Sequence, residues 1–259
     1  MTTATALLDP LRPITLDELV ARASLLTRLD RKYILPAAGL PAVLGALPAD
    51  VRVLEIDRRR AFGYRSAYFD TPDLDGYLAA AHRRRRRFKI RIRSYVDSGT
   101  HFAEVKTRGR RGTTVKQRIS YTGDGLHLGS EARAYAGAVL AEAAIPADGL
   151  HFGHVLTTRY RRTTLFVPST GSRVTIDADL SWALPDGTAI RTPERVIVET
   201  KSDRTTSQID RLLWSLGHRP CSVSKYATGL AALRPDLPAN RWRPVLRRHF
   251  PTVTEESRP

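Results

Sequence analysis

Lys89-Ile90-Arg91-Ile92-Arg93 puts a cation at every second position with an isoleucine between each pair. Side chains of a β-strand alternate between its two faces, so the cations share one face and the isoleucines the other. The pattern recurs along the chain. Glu104 and Lys106 flank Val105, Lys116 and Arg118 flank Gln117, and Arg159 and Arg161 flank Tyr160. Asp177 and Asp179 flank Ala178, Glu199 and Lys201 flank Thr200, and Arg28, Asp30 and Lys32 form the same stripe. A solvated outer sheet face is the commonest origin of such alternation, but it mixes Ser, Thr, Lys and Glu freely. Here the middle strands are rich in cations and particular others carry carboxylates. A β-barrel with a polar, basic lumen and an apolar outer surface under helices reproduces this division. Such a lumen holds a long polyanion through Arg forks and Lys point charges. Its carboxylates suit an oxygen-ligated divalent ion that bridges phosphate oxygens.

The remaining segments complete the plan. Strands are predicted over 28–35, 51–56, 64–69, 88–96, 101–107, 114–121, 155–167, 173–179 and 195–200, with Gly99 and the Gly109–Gly112 stretch marking tight connections. Helices are predicted near 41–47, 72–81, 131–144, 207–216 and 222–233. Thr15 with Glu18 reads as a capping box, and Thr71 as the cap of a helix starting at Pro72. The fold class expected is α+β, an antiparallel tunnel barrel of about eight strands with helices outside. Three regions follow: an N-terminal segment (1–24), the tunnel domain (25–233) and a Pro/Arg-rich tail (234–259) that lies over the surface or frays.

Charge narrows the partner. With 42 Lys plus Arg against 26 Asp plus Glu, the net charge of +16 calls for an anion. Nucleic acid is the default for so basic a chain. It is disfavoured because no helix-turn-helix, zinc-finger or RNA-binding aromatic motif accompanies the charge. The single Cys221 excludes an internal disulfide framework and a cysteine zinc cluster, and it fits a reducing, cytoplasmic setting. No apolar run reaches the roughly 20 residues that span a bilayer. Residues 1–13 do not read as a secretory signal. Among the seven histidines only His151 and His154 have ligand-like spacing, in a context that reads as incidental. The run Arg83–Arg87 cannot line one lumen entirely, because consecutive residues point to opposite sides. It serves as a solvated junction, a funnel at the tunnel mouth, or an attachment point for nucleic acid or anionic lipid.

Eight short segments occur in an order that resembles the VTC domains, the polyphosphate polymerase domains of the vacuolar transporter chaperone type within the triphosphate tunnel metalloenzyme (CYTH-like) superfamily. They are Arg28–Tyr33, Tyr68–Pro72, Lys89–Tyr95, Phe102–Lys106, Val115–Arg118, Thr175–Asp177, Val198–Lys201 and Ser224–Tyr226. The resemblance covers roughly 25–233. It implies a basic antiparallel tunnel, transfer of the γ-phosphate of ATP to polyphosphate, and Mn²⁺ or Mg²⁺ as cofactor. It also implies that Lys32, Arg91, Arg93, Lys106, Lys116, Arg118, Arg159 and Arg162 contact phosphate or nucleotide. Arg162 matches the family motif better than Arg161, which implies a strand irregularity. Glu199 is the first metal-ligand candidate, with Glu104 and Asp177 in support. Lys225, Arg91, Arg93 and Lys201 are the candidates nearest the transferred phosphate.

One departure bears on the metal. The superfamily's first strand often carries Glu-x-Glu-x-Lys, whereas this chain has Arg28-x-Asp30-x-Lys32, which suits hydrolysis of short triphosphates less well. Two other readings stay open: a tripolyphosphatase-type hydrolase, and a non-catalytic domain that senses polyphosphate or inositol phosphates. The expected partners are ATP and polyphosphate, or another triphosphate. An anionic membrane surface or a membrane protein is a further partner compatible with the exterior arginines.

Overall fold

The computed structural model describes residues 7–22, 29–108, 114–147, 149–203 and 206–250. In chain order these form β1 (Arg12–Ile14), α1 (Leu16–Arg22), β2 (Leu29–Pro36), α2 (Leu40–Gly45), β3 (Arg52–Leu54), β4 (Phe62–Asp70) and α3 (Asp75–Ala81). There follow β5 (Phe88–Tyr95), β6 (Thr100–Arg108), β7 (Thr114–Tyr121), α4 (Ser130–Glu142), β8 (Gly153–Val167), β9 (Ser172–Ala183), β10 (Ala189–Thr192) and β11 (Arg195–Ser202). The chain continues with α5 (Gln208–Ser215), α6 (Lys225–Leu233) and α7 (Arg243–His249). The α+β class and the mainly antiparallel pairing agree with the strand periodicity. Two compact units divide the chain: Met1–Phe62 with Tyr160–Leu180 and Thr192–Val223, and Gly63–Arg159 with Ser181–Arg191 and Ser224–Pro259.

In the first unit the order is β2-β11-β9-β8, with β3 on β8 and a short parallel pair between β1 and β3. Register sets the faces. Glu199 lies opposite Lys32 and Thr175, Lys201 opposite Asp30 and Arg173, and Ile197 opposite Ile34 and Asp177. The residues between them, Tyr33, Leu35, Val174, Ile176, Val196 and Val198, point the other way into a core with Val43 and Leu44 of α2 and Ile209 and Leu213 of α5. Each large aliphatic side chain buried this way contributes about 1.5–3 kcal/mol.

In the second unit β4, β5, β6 and β7 are antiparallel neighbours, β8 adds beyond β4, and β10 pairs with β9. Arg91 lies opposite Tyr68 and Glu104, Glu104 opposite Arg118, and Lys106 opposite both Lys89 and Lys116. The reverse face carries Ala67, Phe69, Ile90, Ile92, Ala103 and Val105 and is covered by Ala132, Ala136, Val139 and Leu140 of α4. Gln117, polar on that apolar side, donates to Glu142 at the end of α4 (3.0 Å).

Several local expectations change. The helix expected from Pro72 begins at Asp75, because Leu74 takes a left-handed conformation (φ 57°), although the Thr71 hydroxyl does accept from the Asp75 backbone N–H (2.9 Å). Asp177 and Asp179 do not share a face. Asp179 adopts φ 53°, which breaks the alternation and leaves it exposed while Asp177 is buried. The tail does lie over the surface, with most of 234–250 exposed, but it carries α7 and is anchored by Trp242, 2% exposed against Tyr77, and by Val245. Arg28 and the Gly109–Gly112 connection lie outside the described residues.

Three helices end alike. After α3, α4 and α5, the N–H groups of the next residues return to the last-turn carbonyls: Arg84 to Ala79, Ile145 to Leu140 and His218 to Leu213. The left-handed residue between is Gly217 after α5, but Arg83 (φ 55°) after α3 and Ala144 (φ 52°) after α4. A side chain there costs about 1–2 kcal/mol, part of which is offset by the greater freedom of an unfolded glycine. Ala144 is exposed. Ala144→Gly is therefore expected to stabilise the protein by about 0.5–1 kcal/mol and raise the thermal midpoint by about 2 °C. Calorimetry showing a lower midpoint would contradict this account of the helix end.

Candidate functional site

The polar face of the second unit is organised around one carboxylate. Glu104 is fully buried, and three cations converge on it: Arg91 Nε at 2.7 Å, Lys116 Nζ at 2.7 Å and Arg93 Nη1 at 3.8 Å. Burial alone would raise the Glu104 carboxyl. The charges of Arg91, Arg93 and Lys116 outweigh it and hold the group far below the usual carboxylate range. Lys116 moves down as well, because burial and the neighbouring arginines outweigh its attraction to Glu104. Opposite partners shifting the same way express a simple imbalance: three cations share a single anion. The Nε of Arg93 is buried with no hydrogen-bond partner, and so is the hydroxyl of Ser66 directly opposite it in register. A buried donor without an acceptor is costly, and an anionic ligand removes that cost.

Aromatic rings hold these guanidinium groups in place. Arg91 sits 5.9 Å from the Tyr68 ring, Arg93 5.7 Å from Tyr64 and Arg118 4.6 Å from Phe102. Tyr68 stacks on Tyr226 of α6 (5.1 Å, 18°) and its hydroxyl accepts from Arg91 (3.3 Å). The Tyr226 hydroxyl donates to buried Asp70, which also accepts from the N–H groups of Thr71, Gly76 and Tyr77. Burial raises the Asp70 carboxyl and the Tyr226 phenol above their ordinary values. This chain fixes the start of α6, where Lys225 is the first helical residue and Ser224 the cap. Lys89 Nζ donates to the Ser224 hydroxyl (2.8 Å), so the α6 N-terminus stands at the Lys89–Lys106–Lys116 row. Gly229 allows α6 this close, since a Cβ there would come 2.1 Å from Trp182 Cδ1.

The polar face of the first unit mixes signs more evenly. Glu199 pairs with Lys201 (3.0 Å) and Lys32 (3.5 Å), and Asp177 takes a fork from Arg162 (2.6 and 2.8 Å). Burial, with repulsion from Arg162, draws Lys201 down to about 8, against the pull of Glu199 and Asp30. Between Glu199 and Lys201, Thr200 points to the other face and donates to Asp210 (2.6 Å), which also accepts from Tyr33 (2.7 Å) and Arg31 (3.0 Å). Asp210 lies at the capping box of α5, so the strand bearing Glu199 and Lys201 is pinned from behind.

The structure thus gathers Arg91, Arg93, Lys106, Lys116 and Arg118 with Glu104 on one face, and Lys32, Arg162 and Lys201 with Asp177 and Glu199 on another. Arg159 joins neither group: it is exposed, as is Arg161, which donates to the Ala61 carbonyl. Arg162, and not Arg161, reaches the Asp177 carboxylate. The sequence placed Lys89 on the charged face of its strand, but neither Lys89 nor Arg173 was among the candidate site residues. The Arg173-x-Thr175-x-Asp177 alternation held the signal for Arg173, whereas the role of Lys89 depends on Ser224, far away in sequence.

Among the described residues no three His, Cys, Asp or Glu side chains gather as a metal centre. Glu104 is surrounded by cations and Asp177 is engaged by Arg162. Glu199, 14% exposed at its side chain, is held by two lysine point charges instead of an arginine fork. This donor set does not fit a resident metal. It does fit a divalent ion that arrives with phosphate oxygens and takes one protein carboxylate.

Residues 27–234 match the family model of the VTC domain. No curated protein matches the chain. Among solved structures, a Hippeastrum protein described as having a dominant triphosphatase activity is 18% identical, with 83% of this chain and 100% of that one covered and a TM-score of 0.46. A Pyrococcus horikoshii protein is 13% identical, with 80% and 98% covered and a TM-score of 0.44. No helix among the described residues is long and apolar enough to cross a membrane.

Proposed function

The chain belongs to the VTC domain family, and on that footing we propose that it transfers the γ-phosphate of ATP to the end of a polyphosphate chain. The observation that carries this reading is the excess of cations over carboxylates around Glu104, with Arg93 Nε left without an acceptor. Such a face binds a chain of phosphates and neutralises charge that develops on them.

Phosphoryl transfer depends on alignment and charge stabilisation more than on covalent chemistry. In the proposed step a terminal oxygen of polyphosphate forms a bond to the γ-phosphorus. The bond from that phosphorus to the β,γ-bridging oxygen breaks, and ADP leaves with the electron pair. The attacking oxygen is already ionised, so no side chain has to remove a proton. Arg91, Arg93, Lys116 and Arg118 would hold phosphate oxygens, with Lys106 beside Lys89 in the next row and Lys225 next to Ser224 at its end. Lys32 and Lys201 would contact phosphate beside Glu199, and Arg162 beside Asp177. Mn²⁺ or Mg²⁺ arriving with the triphosphate would be held by Glu199 and would supply neutralisation of its oxygens.

The test is incubation of purified protein with ATP and Mn²⁺, followed by gel analysis of polyphosphate and assay of free phosphate. A ladder of chains is the expected result. Free phosphate without chains would assign a hydrolase instead, and tight polyphosphate binding with neither product would assign a sensor.

A further inference from the structure

The arginine run that the strand pattern could not place acquires partners in the second unit. Arg87 directly precedes β5, one position beyond the Phe88–Thr107 pair, which brings it level with Arg108 at the end of β6. Both have the parity of the polar face. Arg241 reaches the same region from the segment before α7, donating to the Ala80 carbonyl at the end of α3 (3.1 Å). Arg83 is the exposed left-handed residue after α3, and Arg87 donates to the Arg84 carbonyl (3.2 Å), folding the run back on itself. Arg87 and Arg241 are pushed down by burial and by one another's neighbourhood, which includes Arg83 and Arg108. Like charges are therefore collected here at a cost, on partly buried side chains.

The position of this cluster gives it a use. Along β5 and β6 the polar face presents Arg91 with Glu104 and Arg118, then Lys89 with Lys106 and Lys116, then Arg87 with Arg108. Successive rows lie about 6.6 Å apart. The result is a track of cations that continues past the strand ends, suited to a flexible chain with a charge on every unit. A single-stranded nucleic acid would call for stacking platforms between the cations. The aromatic side chain at the cluster, Trp242, is 2% exposed and already covered by Arg241 (5.9 Å).

We propose that Arg83, Arg87, Arg108 and Arg241 form a second phosphate-binding surface that grips the distal part of an inorganic polyphosphate chain whose other end occupies the Arg91–Lys116 face. The choice of ligand rests on the function proposed above. The surface makes affinity depend on chain length: long polyphosphate spans both regions and short oligophosphate spans one.

The experiment measures binding of long-chain polyphosphate and of tripolyphosphate to the full chain without turnover. The Arg87→Ala/Arg108→Ala variant is compared with wild type and with Arg87→Lys/Arg108→Lys. The alanine pair is expected to weaken long-chain binding by on the order of tenfold or more, leave tripolyphosphate binding within about twofold, and lower the salt dependence. The lysine pair is expected to keep most long-chain affinity, which separates lost charge from lost fold. Equal long-chain affinity in wild type and the alanine pair overturns the proposal, as does a wild type indifferent to chain length. Cluster-dependent binding of duplex DNA with no gain for long polyphosphate also overturns it and assigns the surface to nucleic acid. Because the readout is binding, the surface stands even if ATP yields no polymer.

Discussion

Glu104→Gln is expected to destabilise the protein by about 3–5 kcal/mol, because it leaves Arg91, Arg93 and Lys116 packed together without their anion. The amide keeps the size of the side chain, so the loss is electrostatic and not a cavity. Two features of the expected result are specific. Added tripolyphosphate should recover much of the lost stability, since it supplies negative charge to the same cations. The difference between variant and wild type should also shrink in acid. The folded Glu104 carboxyl lies below its unfolded value of about 4.3. Its contribution is therefore complete above that value and is lost as pH falls through the folded one. Urea unfolding at pH 7 and pH 3.5, with and without tripolyphosphate, measures all three effects. A cost under about 1 kcal/mol at pH 7 would show that the cluster is solvated and not a charge-dense site.

Glu199→Gln is expected to lower metal-dependent turnover by at least about 10²-fold while the fold survives. Glu199 is on the polar face, and the neighbouring Val198 supplies the core packing of that strand. The split between constants separates a metal-holding role from a merely structural one. Removing the carboxylate leaves Lys32 and Lys201 less neutralised, so triphosphate should bind as tightly as before or tighter in the absence of metal. KM should hold or fall as kcat collapses. Raising Mn²⁺ should not restore kcat. An unchanged kcat, or a loss confined to KM, would remove Glu199 from the chemistry.

The balance between these residues was only partly legible in the chain. Lys89-Ile90-Arg91-Ile92-Arg93 states its own faces, because alternation in a strand is a local consequence of backbone geometry. The register of β5, β6 and β7 then follows the same parity, and the apolar residues between the charges find α4 as predicted. Parity fails where the backbone leaves the regular strand. Asp179 falls off the face of Asp177 through one left-handed residue. Arg159 and Arg161 share a side in sequence and in space, but it is Arg162 that reaches Asp177.

What the sequence by itself determined is the sorting of this chain into strands with one charged and one apolar face, the family to which its ordered motifs belong, and the excess of positive charge. These depend on residue type and short spacing, which need no knowledge of the rest of the chain. Tertiary structure alone decided which charge neutralises which. The family resemblance implied Glu104 as a supporting metal ligand. Three cations on neighbouring strands make it an anchor for those cations instead, while Glu199, held by two lysines, keeps the more open position. Tertiary structure alone also brought Arg241 to Arg87 and Arg108 and gave the arginine run a neighbourhood. The physical reason is that Coulomb energies depend on separation and burial, and both are set when distant segments pack, whereas period-2 alternation is fixed within a few residues.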